Sequence, residues 1–295
     1  MLTRRGFAKL SLAPLIGCAG FRLSPAAAEG GLAVFGDAIA KIEAESGGRL
    51  GVAVLDTGSG ALTGYRTDER FPMCSTFKAL AAATILTKVD AGKEQLNRRI
   101  LVEQKDILAY APVTKQHIGQ EMSVAELCDA MVTLSDNSAA NILLASMGGP
   151  SSITTLARSL GDEITRLDRF EPDLNEATPG DARDTTTPAA MAKNLKALAA
   201  GNALSVASRD QLIAWLVACK TGDAKLRAGL PKSWRVGDKT GAGNHGSSND
   251  VAVIWPDGRP PVIVASYLTE TAAHDDKRNA THAAVGRAVA TAIAG

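Results

Sequence analysis

The sequence predicts an α/β plus α protein: an antiparallel sheet built from both chain ends with flanking helices, and an inserted all-helical domain. Strand-like runs stand near the start, helical periodicity fills the middle, and strand-like runs return near the end. Apolar residues at three- and four-residue spacing mark helix, and short β-branched runs bounded by Gly or Pro mark strand. A helix is expected around Leu32 to Glu45, and RLGVAVLDT and ALTGYRTD then read as paired strands joined across Gly58-Ser59-Gly60. From about Ser75 to Cys219 the segments FKALAAATILTKVDAG, VAELCDAMVTL, NSAANILLASM, ITTLARSLG, PAAMAKNLKALAAG and RDQLIAWLVAC carry the helical period. Gly or Pro closely follows several of them, as helix stops should. WRVGDKTGAG, NDVAVIWP and PVIVASYLT restore strand character, and Thr281 to Ala294 reads as a last helix. The sheet domain is therefore expected over 29–70 and 215–295, and the helical domain over 71–214.

Within the helical part, RLDRFEPDLNEATPGDARDTTTP, from Arg166 to Pro188, has no convincing period and is rich in Pro, Asp and Thr. Such long irregular connections tend to be functional. The 295 residues carry a formal net charge of +1 with no block of like charge. That pattern gives no footprint for nucleic acid or for an anionic membrane surface.

The start of the chain reads as an export signal over residues 1–28. TRRGFAKL carries adjacent Arg4 and Arg5, and the apolar run from Leu10 to Phe21 follows. The run is too short to span a bilayer, which needs about 20 residues, and the pair resembles a twin-arginine signal. A basic start to an ordinary Sec signal, or a membrane anchor, is the plainer alternative. Ala26-Ala27-Ala28 fits a small-residue cleavage site that would release a periplasmic chain starting at Glu29. Leu15-Ile16-Gly17-Cys18 also resembles a lipoprotein box, which would give a lipid anchor on Cys18. Of the four cysteines, Cys74, Cys128 and Cys219 lie beyond this signal, an odd number, so at least one thiol stays unpaired within the chain. Cys128 and Cys219 sit on apolar helical faces, where a free Cys behaves as a small hydrophobe.

Four short patterns carry chemistry. Ser75-Thr76-Phe77-Lys78 is an S-x-x-K at a helix start. A serine there is often only an N-cap, but an amine one turn on can relay its proton, and the helix end favours a developing oxyanion. Ser135-Asp136-Asn137 lies between two helices and taken singly is a turn. Lys239-Thr240-Gly241 lies on a late strand, where Gly lets a substrate approach the edge and a backbone N–H can serve as oxyanion donor. Glu171-Pro172-Asp173-Leu174-Asn175 sits in the long loop, where an isolated glutamate would be a solvated acid.

Together, in this order, the first three motifs are the signature of class A β-lactamases and penicillin-binding proteins, and the sequence resembles a class A serine β-lactamase over essentially the whole mature chain. The fourth resembles the E-P-x-L-N of the class A omega loop, with Arg169 and Asp184 matching the pair at its base. The resemblance implies β-lactam hydrolysis, conferring antibiotic resistance, through a Ser75 acyl-enzyme, with Lys78 and Glu171 as rival acylation bases. Ser135 would pass a proton to the leaving nitrogen, the Ser75 and Ala242 N–H groups would form the oxyanion hole, and Glu171 with Asn175 would hold the deacylating water. Asn137 would bond the ligand amide, while Lys239, Thr240 and Ser248 would surround its carboxylate, with Lys225 or Arg278 adding charge, and Gly241 would let the substrate lie against the strand edge. Tyr110 resembles the aromatic wall of the entrance.

Cys74 matches a position that one carbapenemase branch bridges to a cysteine just after K-T-G, but Gly243 stands there. Cys128 likewise lacks its penicillinase partner, since Ala82 stands at that position. The expected enzyme is a monomer acting on small-molecule β-lactams, with no stable protein partner, no cofactor and no metal. His117, His245, His274 and His282 show no paired ligand spacing. A penicillin-binding sensor or transpeptidase that is acylated without efficient turnover is the alternative, and a non-enzymatic binding relative a further one. Preference among penicillins, cephalosporins and carbapenems stays open.

Overall fold

A computed structural model describes residues 25–294. Arg4, Arg5, the apolar run and Cys18 lie outside them. In chain order the elements are α1 (Pro25–Ser46), β1 (Arg49–Asp56), β2 (Leu62–Tyr65), β3 (Phe71–Pro72), α2 (Phe77–Asp90), β4 (Arg99–Leu101), β5 (Glu121–Ser123) and α3 (Val124–Thr133). They continue as α4 (Asn137–Met147), α5 (Ser151–Ser159), β6 (Thr185–Thr186), α6 (Pro188–Ala199), α7 (Val206–Val217), α8 (Leu226–Gly229), β7 (Arg235–Ala242), β8 (Ser248–Trp255), β9 (Val262–Thr269) and α9 (Asp275–Ala294).

The main sheet has the order β2-β1-β9-β8-β7, and every neighbouring pair in it is antiparallel. The first strand thus pairs with the last, Leu50 opposite Leu268 and Val54 opposite Val264, which unites the two ends of the chain. Alternation along each strand sends apolar side chains to both faces. Leu50, Val52, Ala252, Ile254, Val264 and Leu268 pack with residues of α1, α8 and α9, whereas Ala53, Leu55, Val251, Val253, Ile263 and Ala265 join the core of the helical part. A sheet covered on both sides explains why these strands read as nearly continuous apolar runs.

The core helix is α2, whose first ten residues, Phe77 to Leu86, are all buried. A helix that is apolar all round must be surrounded, and its alanines let α3, α4, α5 and α7 approach closely. Lys78 is the one charge on that buried stretch.

The strand β7 forms one edge of the sheet, so its outer side is open to a ligand. Several features differ from the sequence reading: α1 begins at Pro25 rather than around Leu32, and the short α8 was not expected. The last helix begins six residues earlier than its apolar period suggests, because the opening Asp-Asp-Lys-Arg turn is polar. The ribbons β3–β6 and β4–β5 are too short for period-two alternation to register. The expected structureless loop also contains a short 3-10 turn, Asp173–Asn175.

That loop is closed at its base by carboxylates. Asp184 Oδ1 accepts from the Asp168 and Arg169 N–H groups at 2.8 and 3.0 Å, and its Oδ2 accepts from Arg169 Nε at 2.6 Å. Asp168 returns the contact by accepting from the Asp184 N–H at 3.0 Å. The Glu171–Pro172 bond is cis, and Asn141 on α4 brackets Glu171, accepting from its N–H at 2.9 Å and donating to its carbonyl at 2.8 Å.

On the far side of the sheet His282 of α9 is fully buried. Its Nε2 donates to the Ser248 carbonyl at 3.0 Å, which leaves Nδ1 to accept from the Ser266 hydroxyl at 2.9 Å.

Asp184→Asn should keep both N–H acceptors but lose the ion pair. The expected cost is about 2–3 kcal/mol, below the range for a sealed pair because Arg169 keeps Glu176 as a partner, measured by denaturant unfolding. Burial holds His282 neutral well below its ordinary range. An unfolded chain therefore binds a proton there that the folded one refuses, and the folded state loses stability as pH falls below about 6.5. His282→Gln should flatten that acid limb by up to about 1.4 kcal/mol per pH unit between pH 6 and 5.

Candidate active site

The cleft lies where α2, the α3–α4 turn, the long loop and the edge strand β7 meet. Its volume is about 380 Å³, and Ser75, Tyr110, Ser135, Asn137, Asn175, Thr240, Gly241, Ala242 and Ser248 line it. Lys78, Glu171 and Lys239, each nearly or wholly buried, lie behind this lining and reach it through their terminal atoms. All twelve residues singled out from the sequence thus converge, although they come from six separate stretches of chain.

Ser75 sits in a 3-10 turn, Cys74–Thr76, that runs into α2; the cap position belongs to Thr76, so Ser75 is not a helix cap. Its neighbour Cys74 takes a positive φ of 44°, which bulky side chains rarely adopt. Asn249 holds the preceding backbone by donating to the Pro72 and Met73 carbonyls at 2.9 and 3.0 Å. Cys74 is fully buried, and burial, aided by the nearby Glu171 charge, pushes its thiol up to about 12. A protonated, buried thiol is a poor nucleophile.

The Ser75 hydroxyl donates to Glu171 Oε1 at 3.4 Å. The same oxygen lies 3.0 Å from Lys78 Nζ, whose other partners are the Ser135 carbonyl at 2.9 Å, Ser135 Oγ at 3.3 Å and Asn137 Oδ1 at 2.5 Å. Burial lowers the Lys78 amine from its ordinary value, and the Glu171 charge holds it up. Asn175 Nδ2 donates to the second Glu171 oxygen, while Asn175 Oδ1 is buried and takes no hydrogen bond among the described residues.

Lys239 Nζ donates to Ser135 Oγ at 3.1 Å and to the Thr240 carbonyl at 2.9 Å. Burial, with the nearby Lys78 charge, brings its amine down to about 8. Gly241 is required by close approach: a Cβ there would lie 2.9 Å from the Met73 carbonyl oxygen and 3.2 Å from the Ser75 nitrogen. A Cβ on Gly243 would fall 2.7 Å from Cys74 Sγ, so these positions adjoin, and Cys74, Cys128 and Cys219 are all free and buried.

Within Ser135-Asp136-Asn137 the roles divide. Asp136 is fully buried, caps α4 through Ala139, and accepts from the Val113 and Thr114 N–H groups at 2.9 Å each. It anchors the loop that carries Tyr110, whose carbonyl accepts from the Asn137 N–H at 3.0 Å. The Tyr110 ring remains half exposed at the rim.

Sequence reading missed Thr221, which meets Thr240 hydroxyl to hydroxyl at 2.5 Å, and Asp275 and Asn279 at the rim. It also missed Asn141 and Asn249, which clamp backbone rather than substrate. A polar Asn inside the apolar NSAANILLASM is the one local sign that could have exposed Asn141. Among the described residues no group of three or more His, Cys, Asp or Glu is arranged to hold a metal.

The model of the β-lactamase enzyme family matches residues 35–293. β-Lactamase CTX-M-8 of Citrobacter amalonaticus is 48% identical over 251 residues, covering 85% of this chain and 86% of that protein. β-Lactamase Toho-1 of Escherichia coli is 49% identical over 248 residues, covering 84% and 85%. Among solved structures, an ancestral class A β-lactamase superposes with a TM-score of 0.87 at 62% identity, covering 88% of this chain and 99% of that one. The putative class A β-lactamase PenP of Rhodopseudomonas palustris gives 0.87 at 57%, covering 88% and 99%. With a serine, two lysines and a loop glutamate gathered in one cleft and relatives matched over most of their length, the chain belongs to the class A β-lactamases.

Proposed function

We propose that this protein hydrolyses the β-lactam amide of penicillins and cephalosporins through an ester on Ser75, and so confers resistance. The observation that carries this reading is the contact of the Ser75 hydroxyl and the Lys78 amine with one oxygen of a buried glutamate. Glu171 takes the Ser75 proton as Oγ attacks the lactam carbonyl. In support, an ammonium has no lone pair to offer, and Lys78 is surrounded by acceptors and paired with a carboxylate. The Ser75 and Ala242 N–H groups receive the oxyanion. The carbon–nitrogen bond then breaks, Ser135 protonates the departing nitrogen, and Lys78 replaces that proton.

Deacylation reverses the logic. Glu171 first passes the proton it took from Ser75 to the now neutral Lys78 across their 3.0 Å contact. It then removes a proton from water, oriented by the free Asn175 Oδ1, as the water attacks the ester, and that proton goes to Ser75 Oγ as the ester bond breaks. Asn137 bonds the substrate amide, Tyr110 walls the entrance, and Lys239, Thr240, Gly241 and Ser248 surround the carboxylate. Lys225, which donates to Ser248 Oγ, suits the added charge better than Arg278, which is paired with Asp275. No cofactor or metal enters this scheme. Residues 29–70 with 215–295, and 71–214, are the two domains whose junction forms the cleft, with 166–188 as the omega loop. The enzyme acts as a monomer in the periplasm, exported by the signal over residues 1–28.

The two half-reactions fail separately. Ser75→Ala should form no adduct with benzylpenicillin. Glu171→Ala should still acylate, because loss of the carboxylate removes the main influence holding the Lys78 proton, and a neutral Lys78 can serve as base. Release should slow by about 10²–10⁴-fold, so that intact-protein mass spectrometry finds one added drug mass on the peptide containing Ser75. An adduct on Cys74, or rapid turnover without Glu171, would overturn the scheme. If the unaltered enzyme itself kept the adduct and did not turn over a chromogenic cephalosporin, the acylated-sensor reading would replace it.

Replacing Arg4 and Arg5 with lysines should leave the precursor in the cytoplasm. Normal periplasmic activity of that variant would refute twin-arginine export, and the mass of the mature N-terminus distinguishes Glu29 from an acylated Cys18.

A further inference from the structure

Behind the carboxylate end of the cleft, β7, β8, α8 and α9 enclose a cluster of ionisable groups of which the proposed function uses only Lys225. Lys225, 9% exposed, lines the cleft and donates to Ser248 Oγ. Three carboxylates influence it: Asp250 on β8, Asp238 on β7 and Asp275 on α9. Asp238 is paired with Arg227, and Asp275 with Arg278. Asp250 is fully buried and has no ion pair among the described residues. Its Oδ2 accepts from the Leu226 N–H at 3.0 Å, fixing the backbone immediately after Lys225, and its Oδ1 is buried with no hydrogen-bond partner among the described residues. Asp250 also lies two residues from Ser248 on one strand, so the two side chains leave the same face of the sheet. His282, from α9, caps the Ser248 carbonyl as a neutral donor and supplies no countercharge.

We propose that Asp250 is a positioning residue that holds the Lys225 cation at Ser248 and thereby sets the preference of the site for substrates carrying a free anionic group. By elimination among the three carboxylates, Asp250 is the one whose charge is not already claimed by an arginine. It acts twice, through the backbone hydrogen bond that places residue 225 and through its field. Burial disfavours the charged Lys225, and Asp250 is the strongest influence that opposes it. Burial, and then Asp238, push the Asp250 carboxyl well above its ordinary range, and Lys225 is the first influence that draws it back toward the charged form. The inference rests on the reading that the substrate carboxylate lies beside Lys239 and Ser248.

The test compares benzylpenicillin with its methyl ester on the full enzyme, because the ester removes only the anion. Asp250→Asn keeps an oxygen for the Leu226 N–H while removing the charge. It should raise KM for benzylpenicillin about fivefold to tenfold, with kcat within about twofold, and leave the ester unchanged. Lys225→Met should lower the acid-to-ester preference at least as much, and adding Asp250→Asn to it should change nothing further. If Lys225→Met loses the preference while Asp250→Asn keeps it, the positioning role is refuted. If Lys225→Met also keeps it, the carboxylate assignment itself fails and the proposal falls with it. Should Asp250→Asn not fold, Asp250→Ser serves the same comparison. A loss equal for acid and ester, or a fall in kcat alone, would mark Asp250 as merely structural.

Discussion

A lysine and a glutamate without solvent exposure, 3.0 Å apart beside a serine hydroxyl, set the terms for the rest of the molecule. Removing an amine and a carboxylate from water costs several kcal/mol per ion, and their attraction offsets that only if further hydrogen bonds satisfy them. The architecture supplies these from three separate elements. The α3–α4 turn gives Lys78 its Ser135 partner, and α4 gives both Asn137 for Lys78 and Asn141 to fix the Glu171 backbone. The 3-10 turn of the long loop gives Asn175 to the second carboxylate oxygen. Lys78 can be buried at all because it rides on the most enclosed helix of the fold, one turn from Ser75.

Holding those groups together requires backbone that sequence propensity alone would not choose. Cys74, Ser135 and Asp184 all take positive φ without being glycine, each at a cost on the order of 1 kcal/mol. Each lies next to a buried side chain that grips the surrounding backbone. Asn249 holds the carbonyls before Cys74, Asp136 ties the turn after Ser135 to residues 113 and 114, and the Asp184 side chain itself closes the loop onto Asp168 and Arg169. All three grips are single asparagines or aspartates, which places much of the precision of the site in residues that never meet substrate.

That division explains what could be read from the amino-acid order. The reacting residues were legible because four short motifs, each singly readable as a cap, a turn or a solvated acid, occur together in the order of the class A pattern. The sheet joining both chain ends was legible because its strands are long, β-branched and separated by turn residues. Asn249, Asp250 and Thr221 were not legible, because a lone polar residue in a strand or loop announces nothing until the fold decides what lies opposite, and Asn141 left only the weak sign of a polar residue in an apolar helix. Asp136 was visible only as part of a turn, since its buried anchoring role depends on a loop more than 20 residues earlier. The first turn of α9 escaped because its residues face solvent and carry no apolar period.

Ser135 joins the two ends of the cleft, and its hydrogen bonds give the proposed chemistry a direction. A hydroxyl offers one proton and two lone pairs. Ser135 Oγ receives N–H donors from Lys78 at 3.3 Å and from Lys239 at 3.1 Å, so two cationic groups occupy its acceptor capacity. Its own proton must then be given away, toward the open side of the cleft that Ser135 lines. A donor with no remaining acceptor role suits a nitrogen that gains a lone pair as the lactam opens, and the adjacent Lys78 can return the proton. The two lysines differ in what surrounds them: Lys78 faces the Glu171 carboxylate, whereas Lys239, with its amine brought down to about 8, touches only neutral oxygens. An anionic substrate supplies the countercharge that Lys239 lacks, so binding reinforces the cation on the side of Ser135 from which the leaving nitrogen is approached.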